Sequence, residues 1–296
     1  MMDFIESFEE KVGFCDEAKI CLTQDARKIL SDNNLYEMFL ECEKNYFEDD
    51  DTSYTEKTLE KVSQISGIHI YTVDFVFLMF AAKRLKSDYA KKGLGEELYW
   101  DLMRDLKCKL DECYTVYKIW GTFVFSWFNR HYKMTRFALG RFQYEKNIYK
   151  GKEYKKGDIV LKPGDEVYNF HIPSMGSIEK KKRIESYKKA FEFFKKPGDK
   201  YIIFLCMSYL LYPDNKNIFP KDSNLYSFME DFDIIDFDSE DKFSDAWRIF
   251  GCMDASDLPR LPQDTTLQKN YVKWLEGGNK TGGGTGVIIF DGEKII

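Results

Sequence analysis

Between Tyr71 and Lys91 the first half of the segment is apolar nearly all round and the second half is mixed with charge. A helix of that pattern belongs at the buried centre of a helical bundle. Helical texture surrounds it: Thr23 to Ser31 and Leu35 to Phe47 have helix-forming composition, and an acidic break follows at Glu48 to Asp51. Ser53 with Glu56 three residues on predicts a capping box, after which Leu59, Val62 and Ile65 recur at helical spacing and Gly67 ends the turn. Gly93 and Gly95 punctuate the chain before Glu96 to Tyr117, where Leu98, Leu102, Leu106 and Leu110 stand at i+4 steps. TFVFSWFNRHYKM, after Gly121, reads as a last helix or a helix-to-strand connector.

The periodicity shortens near Arg136. RFALGRFQYEKNIY predicts a strand, Tyr149 to Glu166 a turn-rich hairpin region, and VYNFHIP the next strand. A helix is expected over Ser177 to Lys196, with Ile184, Tyr187, Phe191 and Phe194 inward and Pro197-Gly198 as its stop. Tyr201 to Tyr212 is apolar on both faces, as a central strand is. Asp222 or Ser223 caps a further helix, a short strand follows at Asp233 to Phe237, and Phe243 to Phe250 is a short helix. Thr265 with Gln268 caps the last helix, through Leu275. GGNKTGGGTG reads as a flexible loop into the closing strand VIIFD. The pattern therefore predicts a helical domain over 1–135 and an α/β domain over 136–296.

Composition adds material and removes options. With 44% hydrophobic and 17% aromatic residues, core is ample for both domains. A net charge of −6 gives no global attraction for nucleic acid or an anionic membrane. No apolar run spans a bilayer, and the acidic N-terminus carries no secretory pattern. Seven cysteines without CxxC pairing predict reduced thiols in a cytoplasm. His69, His131 and His171 form no HxH or HxxxH pair, so no metal site is expected.

Candidate chemistry gathers between Leu139 and Arg183. Arg141, Gln143 and Glu145 alternate, which places them on one strand face, and Asn169 and His171 share a face of the next strand. If the strands are hairpin partners, Glu145 and His171 reach a common substrate and suit proton abstraction from an amine. The plainer reading is a cross-strand polar pair. Downstream, Ser174, Gly176 and Ser177 open a helix whose first turns hold Lys180, Lys181, Lys182 and Arg183. Cations at a helix N-terminus cost on the order of 0.3–1 kcal/mol each, so either an anion binds there or the lysines form a solvated face neutralised by Glu179 and Glu185. Ser208 is the odd polar residue of the apolar strand and a candidate to face a ligand slot. GGNKTGGGTG lacks the GK[ST] ending and the helix of a phosphate loop. No GxSxG elbow is present.

LGRFQYE, YNFHIP, FLCMSYLLYP, DSNLYSFMEDFDI and TTLQKNYVKWLEGG with GTGVIIF, in this order, resemble a bacterial two-domain acyltransferase family. The resemblance covers essentially the whole chain, most specifically Leu139 to Phe290. It implies an α+β chain: a helical N-terminal domain, then a GNAT-like mixed α/β domain with a central, mainly antiparallel sheet. It further implies acyl-CoA as donor and a small-molecule or peptide amine as acceptor. Coenzyme A then sits where two strands splay, with Ser174, Gly176, Ser177, Lys181, Lys182 and Ser208 as cofactor-binding candidates. Of the usual [RQ]xxGx[GA] loop only Gly176 is kept, with Ser174 and Ser177 as partial substitutes. Glu145 or His171 is the expected base, with Arg141 in the same set, and Tyr226 a candidate to protonate the leaving thiolate. The alternative is a non-catalytic GNAT-like module that binds a nucleotide or peptide.

Overall fold

The helix Ile70–Lys91 of the computed structural model, which describes residues 1–296, is buried from Val73 to Ala82 except at Asp74. It belongs to the first of two units, Met1–Phe137 and Ala138–Ile296. That unit runs α1 (Met2–Val12), α2 (Asp16–Ser31), α3 (Asn33–Glu48), α4 (Ser53–Ser66), α5 (Ile70–Lys91), α6 (Glu96–Tyr117) and a short α7 (Asn129–Tyr132). Phe39 of α3 meets Phe77 and Phe80 of α5 at ring distances of 5.6 and 5.5 Å, the edge-on geometry aromatic pairs favour.

One reading of this half is corrected, and the helical texture extends further than its composition marked. The acidic N-terminal segment is a helix, burying Ile5, Phe8 and Val12, and α2 starts at Asp16 rather than Thr23. The capping box at Ser53 does not form: Ser53 is already helical, and the Thr52 hydroxyl instead donates to Glu56 at 2.9 Å. No single helix is long and apolar enough to cross a membrane.

The second unit contains β1 (Arg136–Leu139, which begins in the first), β2 (Phe142–Ile148), β3 (Tyr154–Lys156), β4 (Ile159–Leu161), β5 (Glu166–His171) and α8 (Lys180–Phe194). It continues with β6 (Ile202–Ser208), α9 (Asn224–Met229), β7 (Asp233–Glu240), α10 (Ala246–Phe250), α11 (Thr266–Glu276) and β8 (Thr281–Phe290). The strands β1-β2-β5-β6-β8-β7 make a six-stranded sheet, and β3–β4 is a separate hairpin. Pairings β2–β5, β6–β8 and β7–β8 are antiparallel, while β5–β6 is parallel.

Alternation divides the sheet's two faces. One carries Phe142, Tyr144, Phe170 and Phe204 against Tyr187 of α8 and Phe228 of α9. The other carries Val167, Leu205, Val287 and Ile289, covered by Tyr149, Leu161 and the hairpin residues Tyr154 and Ile159.

Two glycines correct the expected strands. Gly140, at φ 81°, breaks the segment read as one strand and leaves Arg141 in the turn between β1 and β2. The glycine run is not a loop: Thr281 to Gly286 belong to β8, between β6 and β7. A Cβ on Gly284 would lie 2.2 Å from the Leu211 carbonyl oxygen. Glycine is thus required for close backbone approach inside a strand.

Candidate active site

Strands β2 and β5 are partners, and their register sets Gln143 opposite His171 and Glu145 opposite Asn169. All four side chains therefore share one face. His171 Nε2 lies 3.2 Å from Glu145 Oε1, an ion-pair distance without the alignment of a hydrogen bond. Glu145 keeps 7% of its side-chain exposure and His171 keeps 23%. A buried carboxylate beside a partly open imidazole can receive and pass on a proton.

The register also exposes what the sequence reading missed. Gln143 Oε1 and Asn169 Oδ1 are buried without a hydrogen-bond partner. Each buried acceptor left unmet costs about 1–3 kcal/mol. Two of them beside the Glu145–His171 pair make a patch suited to a ligand that brings N–H donors. The signal was available in the alternation of Gln143 with Glu145 and of Asn169 with His171.

Next to this patch the sheet opens. Parallel pairing of β5 with β6 is confined to Tyr168–Phe204 and Asn169–Leu205. Beyond it, β5 stays with β2 through His171, and β6 stays with β8 through Ser208. No strand pairs with β6 on the β5 side from Cys206 onward, so its backbone there is available to a ligand. Met207, on the face of Leu205, is 73% exposed although it lies on an interior strand.

The segment after β5 forms the third part. Gly176 takes φ 62°, in the left-handed region, and α8 starts at Lys180 rather than Ser177. Arg141 donates to three carbonyls of this loop: from Nη1 to Pro173 at 2.9 Å, from Nη2 to Gly176 at 3.1 Å and from Nε to Ser177 at 3.1 Å. Arg183, wholly buried, donates to Ile178 O at 2.7 Å and binds both Asp231 oxygens and Ser227. It is therefore a structural cation, not part of an exposed positive face. Lys181 and Lys182 remain exposed, and Lys182 pairs with Glu179 at 3.0 Å. Glu179 also accepts from the Ser177 hydroxyl, and these contacts hold its carboxyl below the usual range.

Other candidates fall elsewhere. Ser208 ends β6 and its hydroxyl accepts from the Leu210 amide at 3.2 Å, so it caps the turn that follows. Tyr226 is on α9, which packs through Phe228 on Phe142 and Phe170, the face opposite Glu145 and His171. Arg141 belongs to the loop rather than to the acid–base face. Cys206 is buried in the strand, and burial pushes its thiol well above the ordinary range.

Residues 3–134 match the N-acyltransferase N-terminal domain, and residues 136–288 match the GNAT-like C-terminal domain. No curated protein matches the chain. Among solved structures, an acyltransferase in complex with decanoyl-CoA and teicoplanin is similar at 16% identity, covering 97% of this chain and 99% of that one, with a TM-score of 0.63. A mutant acyltransferase in complex with octanoyl-CoA gives the same values. An acyltransferase with CoA and 10C-teicoplanin is similar at 16% identity, 96% and 98% coverage and a TM-score of 0.62. At this identity the likeness is one of fold.

Proposed function

Since the chain belongs to the N-acyltransferase family that joins this N-terminal domain to a GNAT-like C-terminal domain, we propose that it moves an acyl group from acyl-CoA to an amine by direct transfer. The observation that carries the site assignment is the Glu145–His171 pair lying on one face beside the parting of β5 and β6. The parted strands suit the pantetheine arm, and the loop from Pro173 to Ile178 suits the pyrophosphate. The amine enters on the face of Gln143, Glu145, Asn169 and His171, where the orphaned carbonyl oxygens of Gln143 and Asn169 accept its N–H groups.

The reaction balances with these parts. Glu145 or His171 takes a proton from the acceptor ammonium, directly or through water, and the amine nitrogen attacks the thioester carbonyl carbon. Backbone amides of β6 polarise that carbonyl while negative charge develops on its oxygen. The C–N bond forms, the C–S bond breaks, the nitrogen gives up its second proton to become the amide, and that proton passes through water to the thiolate, which leaves as coenzyme A. Tyr226 is not assigned to protonate it, given the face on which α9 packs.

One similar structure holds decanoyl-CoA together with teicoplanin, and by that analogy we assign a medium-length acyl chain and a small-molecule or peptide amine. The seven cysteines, none in a disulfide, support a reducing, cytoplasmic setting. Isothermal titration with acetyl-CoA, octanoyl-CoA and decanoyl-CoA tests the reading. Binding of the longer thioesters in the micromolar range is expected. A folded sample that takes up none of them at millimolar concentration overturns it.

A further inference from the structure

We propose that Arg141 is a positioning residue for the acyl donor, acting by turning the loop from Pro173 to Ile178 so that amide groups rather than carbonyls face the donor's pyrophosphate. The inference rests on the acyl-CoA reading above and adds a residue and a role to it.

No peptide bond in the chain is cis, and in a trans peptide the N–H points opposite to the C=O of the same unit. Arg141 takes the carbonyls of Pro173, Gly176 and Ser177. The N–H groups of Ser177 and Ile178, which share planes with two of those carbonyls, are thereby turned away from the guanidinium. They meet no backbone acceptor. Arg183 draws the Ile178 carbonyl at 2.7 Å and orients the next plane likewise. Two guanidinium groups thus hold a succession of loop carbonyls.

A loop with one left-handed glycine would otherwise sample many orientations, and its carbonyl oxygens would repel an anion in a good fraction of them. The planar fork of Arg141 removes that freedom before the donor arrives. Three donors on three nitrogens reach three carbonyls at once, which a lysine ammonium cannot reproduce. The arrangement also accounts for a loop that keeps only one glycine of the usual pattern: an external clamp fixes the conformation that additional glycines permit elsewhere. Affinity gained in this way comes from pre-organisation rather than from contact with the ligand.

The test compares two thioesters that differ in the pyrophosphate-bearing half, octanoyl-CoA and S-octanoyl-pantetheine, on the full chain. Kd is read by titration, with displacement of octanoyl-CoA for the weaker ligand. Arg141→Gln is expected to weaken octanoyl-CoA about tenfold and to leave S-octanoyl-pantetheine within about twofold, and Arg141→Lys to fall between. Octanoyl-CoA affinity unchanged in Arg141→Gln overturns the proposal, as does an equal loss for both thioesters, which marks a general scaffold role. Wild-type protein that binds no octanoyl-CoA instead sinks the acyltransferase reading.

Discussion

Each unit holds a carboxylate and a histidine 3.2 Å apart, Asp105–His131 in the helical unit and Glu145–His171 on the sheet. The pairs match in distance and differ in surroundings. Asp105 and His131 keep 1% and 0% of their side-chain exposure, and the Trp127 indole N–H donates to the same aspartate oxygen at 2.8 Å. Burial alone would raise the Asp105 carboxyl; the contact with His131, the charge of Lys109 and the Trp127 donor together hold it far below the usual carboxylate range. Glu145 and His171 stand beside two unmet carbonyl oxygens, on strands one of which is parting from its neighbour. An acid–histidine pair becomes a candidate for chemistry through its access to a ligand, not through its own distance or through unmet atoms alone, since Asp105 Oδ1 also lacks a hydrogen-bond partner yet is sealed from solvent. The first pair is a brace, the second an opening.

The largest effect that divides them is on stability. Asp105→Ala takes the buried carboxylate away from His131 and the Trp127 indole, while Lys109 keeps Glu112 at 2.9 Å, and removing a buried charged partner in this way costs about 3–5 kcal/mol. Chemical denaturation should show that loss; a change below about 1 kcal/mol would remove the distinction between the two pairs. Glu145→Gln should do the converse. We expect kcat to fall about 100-fold, the size of a general-base contribution, with octanoyl-CoA affinity intact and stability within about 1 kcal/mol. Thiol release from octanoyl-CoA with a peptide amine as acceptor measures the rate. A mutant as active as the wild type would make Glu145 a structural partner like Asp105.

Only one of the pairs was legible in the sequence. Period-two alternation declares which residues of a strand share a face, so Glu145 and His171 needed only the adjacency of β2 and β5, and that adjacency is observed. Asp105 and His131 sit on α6 and α7, separated by a connector whose path no local pattern specifies. A hint was present, since Asp105 lies between Leu102 and Leu106 of the leucine ladder, on the buried side of α6. The loop was legible as a place, but the separate roles of its cations were not. Four consecutive cations looked alike in sequence, yet Arg183 points into the core against Asp231 while Lys181 and Lys182 stay in solvent. Glycine failed in both directions, because the same residue that breaks a strand at Gly140 permits close packing within one at Gly284. That choice is made by distant backbone, which no window of sequence contains.

The smallest effect supplies the control. Glu166 begins β5, the strand that ends at His171, and pairs with Lys146 and with Lys196 at 2.7 Å. Those contacts, first with Lys146 and then with Lys196, hold its carboxyl down to about 2 against the resistance of partial burial, with the Tyr168 hydroxyl assisting. A folded-state value below the unfolded one stabilises the protein at pH above the ordinary carboxylate range, and the gain is lost as pH falls from about 4.5 through about 2. The side chain is 27% exposed, so solvent screens the pairs and the gain at neutral pH stays under about 1 kcal/mol. Glu166→Gln should therefore lower the denaturation midpoint slightly at pH 7, should not lower it at pH 2, and should leave acyl-CoA affinity and turnover unchanged. If it lowered turnover as far as Glu145→Gln, loss of any carboxylate on this part of the sheet would suffice. The assignment of Glu145 would then rest on nothing specific to its position beside His171.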